Sequence, residues 1–287
     1  MTAITPREAR RCFNAHHPVH AAYYFCPEHD ETYAELGLEG GPMAYLAGRA
    51  APFGAVGAGV VTAAFYTFHP DLVARHLPRT WEVTSPAAVL EARLRITDAY
   101  LTRLLGREAL ASREMAEAAG LALRAAEGCG RPGRTLYSAN ADLPVPEAPH
   151  LVLWHAATLL REHRGDGHVM ALSEAGLDGL EALVSHTATG TNWRPAHLRS
   201  ARGWSTDEWA AARDRLVARG ILDGDGELTG EGAELRRAVE AATDRLDVAP
   251  YARLGAEGTR RLTELAGAFS KVVLAGGGLP LQDIGKR

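Results

Sequence analysis

Apolar residues recur three and four positions apart through most of the chain, the spacing of helices that bury one face. The clearest run covers residues 86–127. Pro86 stands near its start, and Leu90, Leu94, Tyr100, Leu101 and Leu105 recur at helical spacing. Residues 6–35 carry the same period, interrupted by Pro18 and Pro27, and stop at Gly37 and Gly40–Gly41, residue types suited to helix C-termini. The segment 42–78 reads as short helices punctuated by glycine and proline. Between 128 and 150 the stretch GCGRPGRTLYSANADLPVPEAPH holds too much glycine and proline for regular structure. It predicts a long loop, which in a compact domain is functional or a linker. Residues 151–163 then read as a helix, with a break at Gly165–Gly167 before the next helix begins.

From Thr191 the texture changes to short helix, turn, helix, hairpin, helix. Ser205 or Thr206 is placed to cap the second helix, with Glu208 in its first turn. Trp209, Leu216, Val217 and Ile221 are expected to face inward. ILDGDGELT reads as a two-stranded hairpin around Asp-Gly turns. That order is a winged helix. The predicted fold is mainly α: a helical body over residues 1–190, then a winged-helix domain over 191–287 with a small β-hairpin wing and a trailing helix. Nothing repeats with a fixed period.

Composition adds mostly exclusions. The 287 residues are 46% hydrophobic and 23% charged, with a formal net charge of −4, so no global basic field draws the chain to nucleic acid. Cys12, Cys26 and Cys129 are odd in number and lack CxxC spacing, which fits reduced thiols. No signal peptide or run of membrane-spanning length is visible, so a cytoplasmic protein without membrane contact is expected. There is no GxSxG, HExxH, P-loop lysine or kinase set, and no cofactor is specified.

The stretch LRSARGWSTDEWAAARDRLVARGILDGDGELTGEGAELRRAVEAATDRL resembles the winged helix of MarR-type regulators. Over nearly the whole chain, including YFCPE, GRAAPFGAVGAGVVTAAFYTFHP and WHAATLLREHRGDGHV, the sequence resembles a family of actinobacterial helix-turn-helix proteins that supplies no chemistry. The resemblance implies a mostly helical body with a winged-helix end, dimerised through terminal helices. The DNA-reading positions depart from the regulator pattern. Thr206, Asp207, Glu208 and Trp209 occupy the first turns of the reading helix, and the wing is DGDGE. Carboxylates there repel phosphates. Arg199, Arg202, Arg213 and Arg215 remain to touch a DNA backbone, so DNA is disfavoured as a partner without being excluded.

Ionisable residues crowd four places. In WHAATLLREHRGDGH, His155, Thr158 or Leu159, and Glu162 share a helical side, and His163, Arg164, Asp166 and His168 gather at the expected break. Arg164 would anchor a carboxylate or phosphate, and Asp166 would orient His163 or His168 for proton exchange. Helix capping by Gly165 and Asp166, with Arg161 and Glu162 in solvent, explains the same residues.

In NAHHPVHAAYYFCPEHD, His16, His20, Cys26 and His29 have zinc-ligand chemistry. Pro18 disturbs the first pair and no second pair reinforces it, so no metal is expected. His20, Tyr24 and Glu28 read as a pocket wall, or Tyr23, Tyr24 and Phe25 as plain core. Gly57 and Gly59 lack the third glycine and the preceding strand of a dinucleotide loop. That segment instead suits a cavity for an apolar ligand, with Arg49 and His69 at its rim. Asn140 and Asp142 close over it or simply make turns.

The leading expectation is a protein binding a partly apolar, anionic or polar-tipped organic molecule. The alternatives are an enzyme of specialised metabolism using His163, Asp166 and His168, and a ligand-responsive MarR-like regulator. A homodimer is expected in each case.

Overall fold

Thr5 caps the first helix with its hydroxyl on the Glu8 amide, and the Glu8 carboxylate returns to the Thr5 amide. This computed structural model describes residues 3–191, 193–281 and 285. In chain order the helices are α1 (Pro6–Ala21), α2 (Pro27–Glu35), α3 (Pro42–Ala50), α4 (Ala58–Phe65), α5 (Pro70–Val83), α6 (Pro86–Leu110) and α7 (Arg113–Ala126). They continue as α8 (Thr135–Ala141), α9 (Pro149–Glu174), α10 (Gly179–Thr187), α11 (Pro195–Ala201), α12 (Thr206–Ala218), α13 (Gly230–Leu246) and α14 (Val248–Ala275). Proline occupies the first turn of α1, α2, α3 and α6, where its missing amide proton costs nothing. α1 runs through Pro18 rather than stopping there.

The chain forms two compact units from interleaved segments. One comprises Met1–Ala55, Arg79–Gly167 and Asp244–Leu279; the other comprises Val56–Pro78, His168–Thr243 and Pro280–Arg287. The expected boundary near residue 190 therefore falls inside the second unit, and the trailing helix α14 belongs to the first. There α14 packs between α1 and α7. Val19, Tyr23, Met43, Ile96, Tyr100, Met115, Trp154, Tyr251, Leu262 and Phe269 join in a single buried cluster. In the second unit Leu172, Leu177, Leu180, Ala212, Leu216, Ile221, Leu222 and Val239 form the core.

Three expectations need correction. The glycine-rich stretch at 165–167 does not break the chain: α9 is continuous from Pro149 to Glu174. A mid-helix glycine costs about 1 kcal/mol relative to alanine. Gly167 offsets this by close approach, since a Cβ there would lie 2.8 Å from Arg134 Nη1. The Arg134 guanidinium passes over it to donate to the carbonyls of His163 and Leu246. Second, the expected loop at 128–150 contains α8. Its sequence offers no side-chain cap of its own, and the Asp166 carboxylate of α9 supplies one by accepting from the Tyr137 amide at 2.9 Å.

Third, no strand is present among the described residues. The β-hairpin wing reduces to one antiparallel bridge between Leu222 and Leu228 around a turn in which Asp223 accepts the amides of Asp225 and Glu227. Those side-chain bonds at Asp223 close the turn locally, and pairing stops one step beyond it.

Candidate functional site

In the first unit α1 and α9 lie against one another along a seam of buried polar side chains. His20 on α1 faces Trp154, Thr158 and Glu162, one turn apart on α9, while His16, one turn back on α1, meets the Tyr251 hydroxyl of α14 at 3.0 Å. All six are almost fully buried. His20 Nδ1 lies 2.9 Å from Thr158 Oγ1, and Thr158 Oγ1 donates to the Trp154 carbonyl at 2.9 Å. The Thr158 hydroxyl thus sits between the imidazole and the helix backbone, and His20 Nε2 has no hydrogen-bonding partner.

Aromatic rings enclose this histidine. The His20 ring stacks on Trp154 with centroids 6.0 Å apart and meets Tyr24 edge-on at 5.5 Å; His17 lies 6.1 Å away. Tyr24 contacts Tyr45 of α3 at 5.0 Å. Behind them the Tyr23 and Tyr33 hydroxyls meet at 2.5 Å, over Gly48 of α3. A Cβ on Gly48 would come within 2.6 Å of the Tyr33 hydroxyl, so only glycine fits there.

Glu162 is the electrostatic centre of the seam. Arg49 Nε and Nη2 grip its two oxygens at 3.2 and 3.1 Å, and Arg161 Nη1 adds a contact at 2.5 Å. Burial opposes its charge, but the Arg161 and Arg49 guanidiniums outweigh burial and hold the carboxyl well below the usual range. Burial acts oppositely on the imidazoles. It pushes His16 down to about 3 and His17 down to about 4, and it takes His20 well below its ordinary value with help from Arg161. The seam thus holds neutral histidines beside fixed guanidiniums. Arg93 adds another: its Nη2 donates to Asn140 Oδ1 at 3.2 Å and its guanidinium lies 5.2 Å from the Trp154 ring centre. Arg93 Nη1, Trp154 Nε1 and His17 Nδ1 are buried and have no hydrogen-bonding partner.

The residues expected at the helix break have other partners. His163 Nδ1 lies 3.0 Å from Asp247 Oδ1. Arg164 Nη2 donates to Asp244 at 2.7 Å, and its guanidinium lies over the Phe13 ring. Asp166 caps α8 and contacts neither histidine, and His168 lies in the second unit, 2.8 Å from Thr243 Oγ1. His163, Asp166 and His168 are therefore not one catalytic group. Glu162 and Arg161, which the capping reading left in solvent, are 1% and 24% exposed.

Burial raises the Asp166 carboxyl from its ordinary 3.8 to about 6, against the Tyr137 amide bond, which lowers it. An unfolded chain then loses this proton first, so stability falls as pH rises from about 4 to about 6 and is level above. Asp166→Asn keeps an acceptor for the Tyr137 amide and is expected to abolish this fall. Urea unfolding of both proteins across that range should show the variant gaining about 2–3 kcal/mol over the original chain.

Of the other candidates, Glu28 is held by Arg103 at 2.5 and 3.0 Å, away from the seam. His155 is buried, and burial pushes it down to about 4. Arg49 belongs to the first unit and His69 to the second, where His69 Nε2 lies 2.9 Å from Glu208 and its ring meets Trp204 at 4.6 Å. The rim expected around 49–69 is therefore not assembled within one unit. Trp154, His17 and Arg93 were missed as site residues. The available signal was the polar character of positions one turn apart on an otherwise apolar helix face. A surface groove of about 990 Å³ between the N-terminal half of α1 and α14, with Glu8, Arg11, Thr263 and Lys271 among its lining residues, shares no residue with the seam. Among the described residues no three His, Cys, Asp or Glu side chains group as metal ligands, and no single helix is long and apolar enough to cross a membrane.

In the second unit α11 and α12 are joined by a turn at 202–205, where Gly203 adopts φ 80°. The arginines of α11 and α12 have intramolecular partners, while Arg213, Arg215 and Arg219 stay 48%, 48% and 38% exposed. Arg199 donates to Thr206 Oγ1 at 2.6 Å, Arg202 lies 4.3 Å over the Phe68 ring, and Arg213 lies 3.7 Å from Asp214. Arg215 donates to Glu181 and Asp178 at 3.0 and 2.8 Å, and Arg219 to Glu181 at 2.7 Å. Ser205 caps α12 in a reciprocal box with Glu208, and Asp207 and Glu208 both lie in its first turn. No curated protein and no solved structure matches the chain. Residues 9–280 match a helix-turn-helix family, and over that span, which takes in both units, the chain belongs to it.

Proposed function

We propose that this member of the helix-turn-helix family is a small-molecule-binding protein with a MarR-like helix-turn-helix module whose DNA-reading surface is degenerate. Its site is the α1–α9 seam, and its ligand is a partly apolar organic molecule with an anionic or polar tip. The observation that carries this reading is the set of buried polar atoms without partners: His20 Nε2, His17 Nδ1, Trp154 Nε1 and Arg93 Nη1. A buried donor or acceptor left unsatisfied costs about 1–3 kcal/mol, so several in one seam are expected to be met by a bound molecule. The excess of guanidinium over carboxylate there favours an anion. The ion pairs that occupy Arg215 and Arg219, with Asp207 and Glu208 at the reading end, favour the degenerate surface over the regulator reading.

Native mass spectrometry and an absorbance spectrum on protein purified from its own host are the direct test. A reproducible added mass, lost in Arg93→Met, supports the proposal; an unliganded protein across repeated preparations overturns it. Salt-dependent operator binding that disappears in Arg213→Ala/Arg215→Ala would instead restore a transcriptional regulator.

A further inference from the structure

Beyond its kink at Gly255, where φ is 81°, α14 runs parallel to α1, and the groove of about 990 Å³ between them lies open on the surface of the first unit. Level contacts give the direction. Ala15 lies against Gly267, Ser270 donates to the Ala15 carbonyl at 2.6 Å, and Ala22 lies farther on against Gly278. The groove extends from Ala256 to Lys271 of α14, about 22 Å of helix. Thr259, Thr263 and Gly267 follow one another along it at a four-residue spacing, so small side chains leave room for another helix to approach closely.

Packing inside the chain does not account for Gly267. A glycine within a helix is destabilising relative to alanine, and a Cβ at this position would meet only Ala15 Cβ at 3.8 Å, an ordinary contact. Gly48 and Gly179, by contrast, have neighbours that exclude a Cβ. A body from outside the chain, seated on the helix backbone, gives Gly267 a reason.

Charge selects that body. Glu257, Glu264 and Lys271 stand seven residues apart and so share one face of α14. Glu257 and Lys271 are exposed and make no ion pair among the described residues, and the same holds for Arg11 of α1. A second α14 laid antiparallel about an axis at Glu264 sets Lys271 of each copy against Glu257 of the other. Arg11, one turn before Ala15, is level with Thr263 and thereby faces the partner's Glu264. A parallel pairing would instead set Glu257 on Glu257 and Lys271 on Lys271.

We propose that the groove holds α14 of a second copy of this chain, antiparallel about a twofold axis at Glu264, so that each copy fills the other's groove. This inference goes beyond the ligand-binding reading and does not depend on it.

The test is sedimentation velocity on the full-length chain, which is expected to be dimeric. Glu257→Lys and Lys271→Glu should each weaken the dimer about tenfold or more, because twofold symmetry repeats the like-charge contact at both ends. Both positions are exposed, so the fold should be kept, which circular dichroism checks. Mixed one to one, the two variants should regain the dimer, since every residue 257 then meets a residue 271 of opposite sign. Gly267→Leu, for which the chain itself leaves room, should be monomeric. An original chain that is monomeric at micromolar concentration overturns the inference and leaves the groove to a partner of different sequence. A dimer that either charge reversal or Gly267→Leu leaves intact overturns it as well. So do reversed variants that dissociate and fail to recombine, because they remove the antiparallel register.

Discussion

Glu162→Gln is expected to destabilise the first unit by about 3–5 kcal/mol, the cost of removing one partner from a buried ion pair. The substitution keeps the side-chain shape, so packing changes little. It takes away the charge that balances Arg49, which is 9% exposed and cannot reach water without opening the α3–α9 contact. Arg161, about a quarter exposed, has that route. In thermal unfolding followed by near-ultraviolet circular dichroism the loss corresponds to a drop of roughly 10 °C for a unit of this size. The double variant Arg49→Met/Glu162→Met is expected to recover most of it, since replacing both charges with apolar groups leaves nothing buried and unbalanced. A Glu162→Gln protein melting with the original chain would mean that the pair is hydrated and contributes little to the stability of the first unit.

Gly179→Ala should be nearly as damaging, in the other unit. A Cβ on Gly179 would lie 2.1 Å from the Tyr66 carbonyl oxygen and 3.2 Å from Thr67 Cα, both backbone atoms. Nor can that backbone move easily. Tyr66 is held at φ 57°, a region a tyrosine seldom adopts, by its hydroxyl on the Leu177 carbonyl, and Trp204 Nε1 holds the Thr67 carbonyl. The expected cost is about 3 kcal/mol, at the upper end of overpacking effects. Gly179 opens α10, whose first turn contributes the Glu181 that holds Arg215 and Arg219. Hydrogen exchange should therefore show early loss of protection in α10 and α12 with α1, α6 and α14 unchanged. Unchanged exchange in α12 would contradict this linkage.

Much of the helical order was legible in the sequence because local signals act locally. The cap at Ser205 or Thr206, the proline starts and the glycine stops were read from neighbouring residues, and the box that Ser205 forms with Glu208 is likewise built from neighbouring residues. The misreadings share one cause. The continuity of α9 through two glycines depends on Arg134 and Leu246, and the start of α8 depends on Asp166. Each is a long-range contact that no window of adjacent residues contains. The site was half legible for the same reason. His20, Tyr24 and Arg49 stand in the seam as a candidate wall, but the role of Glu162 appears only once Arg49, 113 residues away, is seen to grip it. His163, Asp166 and His168 look like a trio in sequence because they are close there, and a helix turns each toward a different neighbour.

The interleaving of the two units has a consequence for how the chain is made. The first unit closes only when Asp244–Leu279 arrives, since α14 fills the space between α1 and α7. On the ribosome, α1 and α7 must wait with that face open while His168–Thr243 of the second unit is synthesised. Chaperone engagement during synthesis should therefore concentrate on nascent chains that extend through Thr243 with α14 still missing.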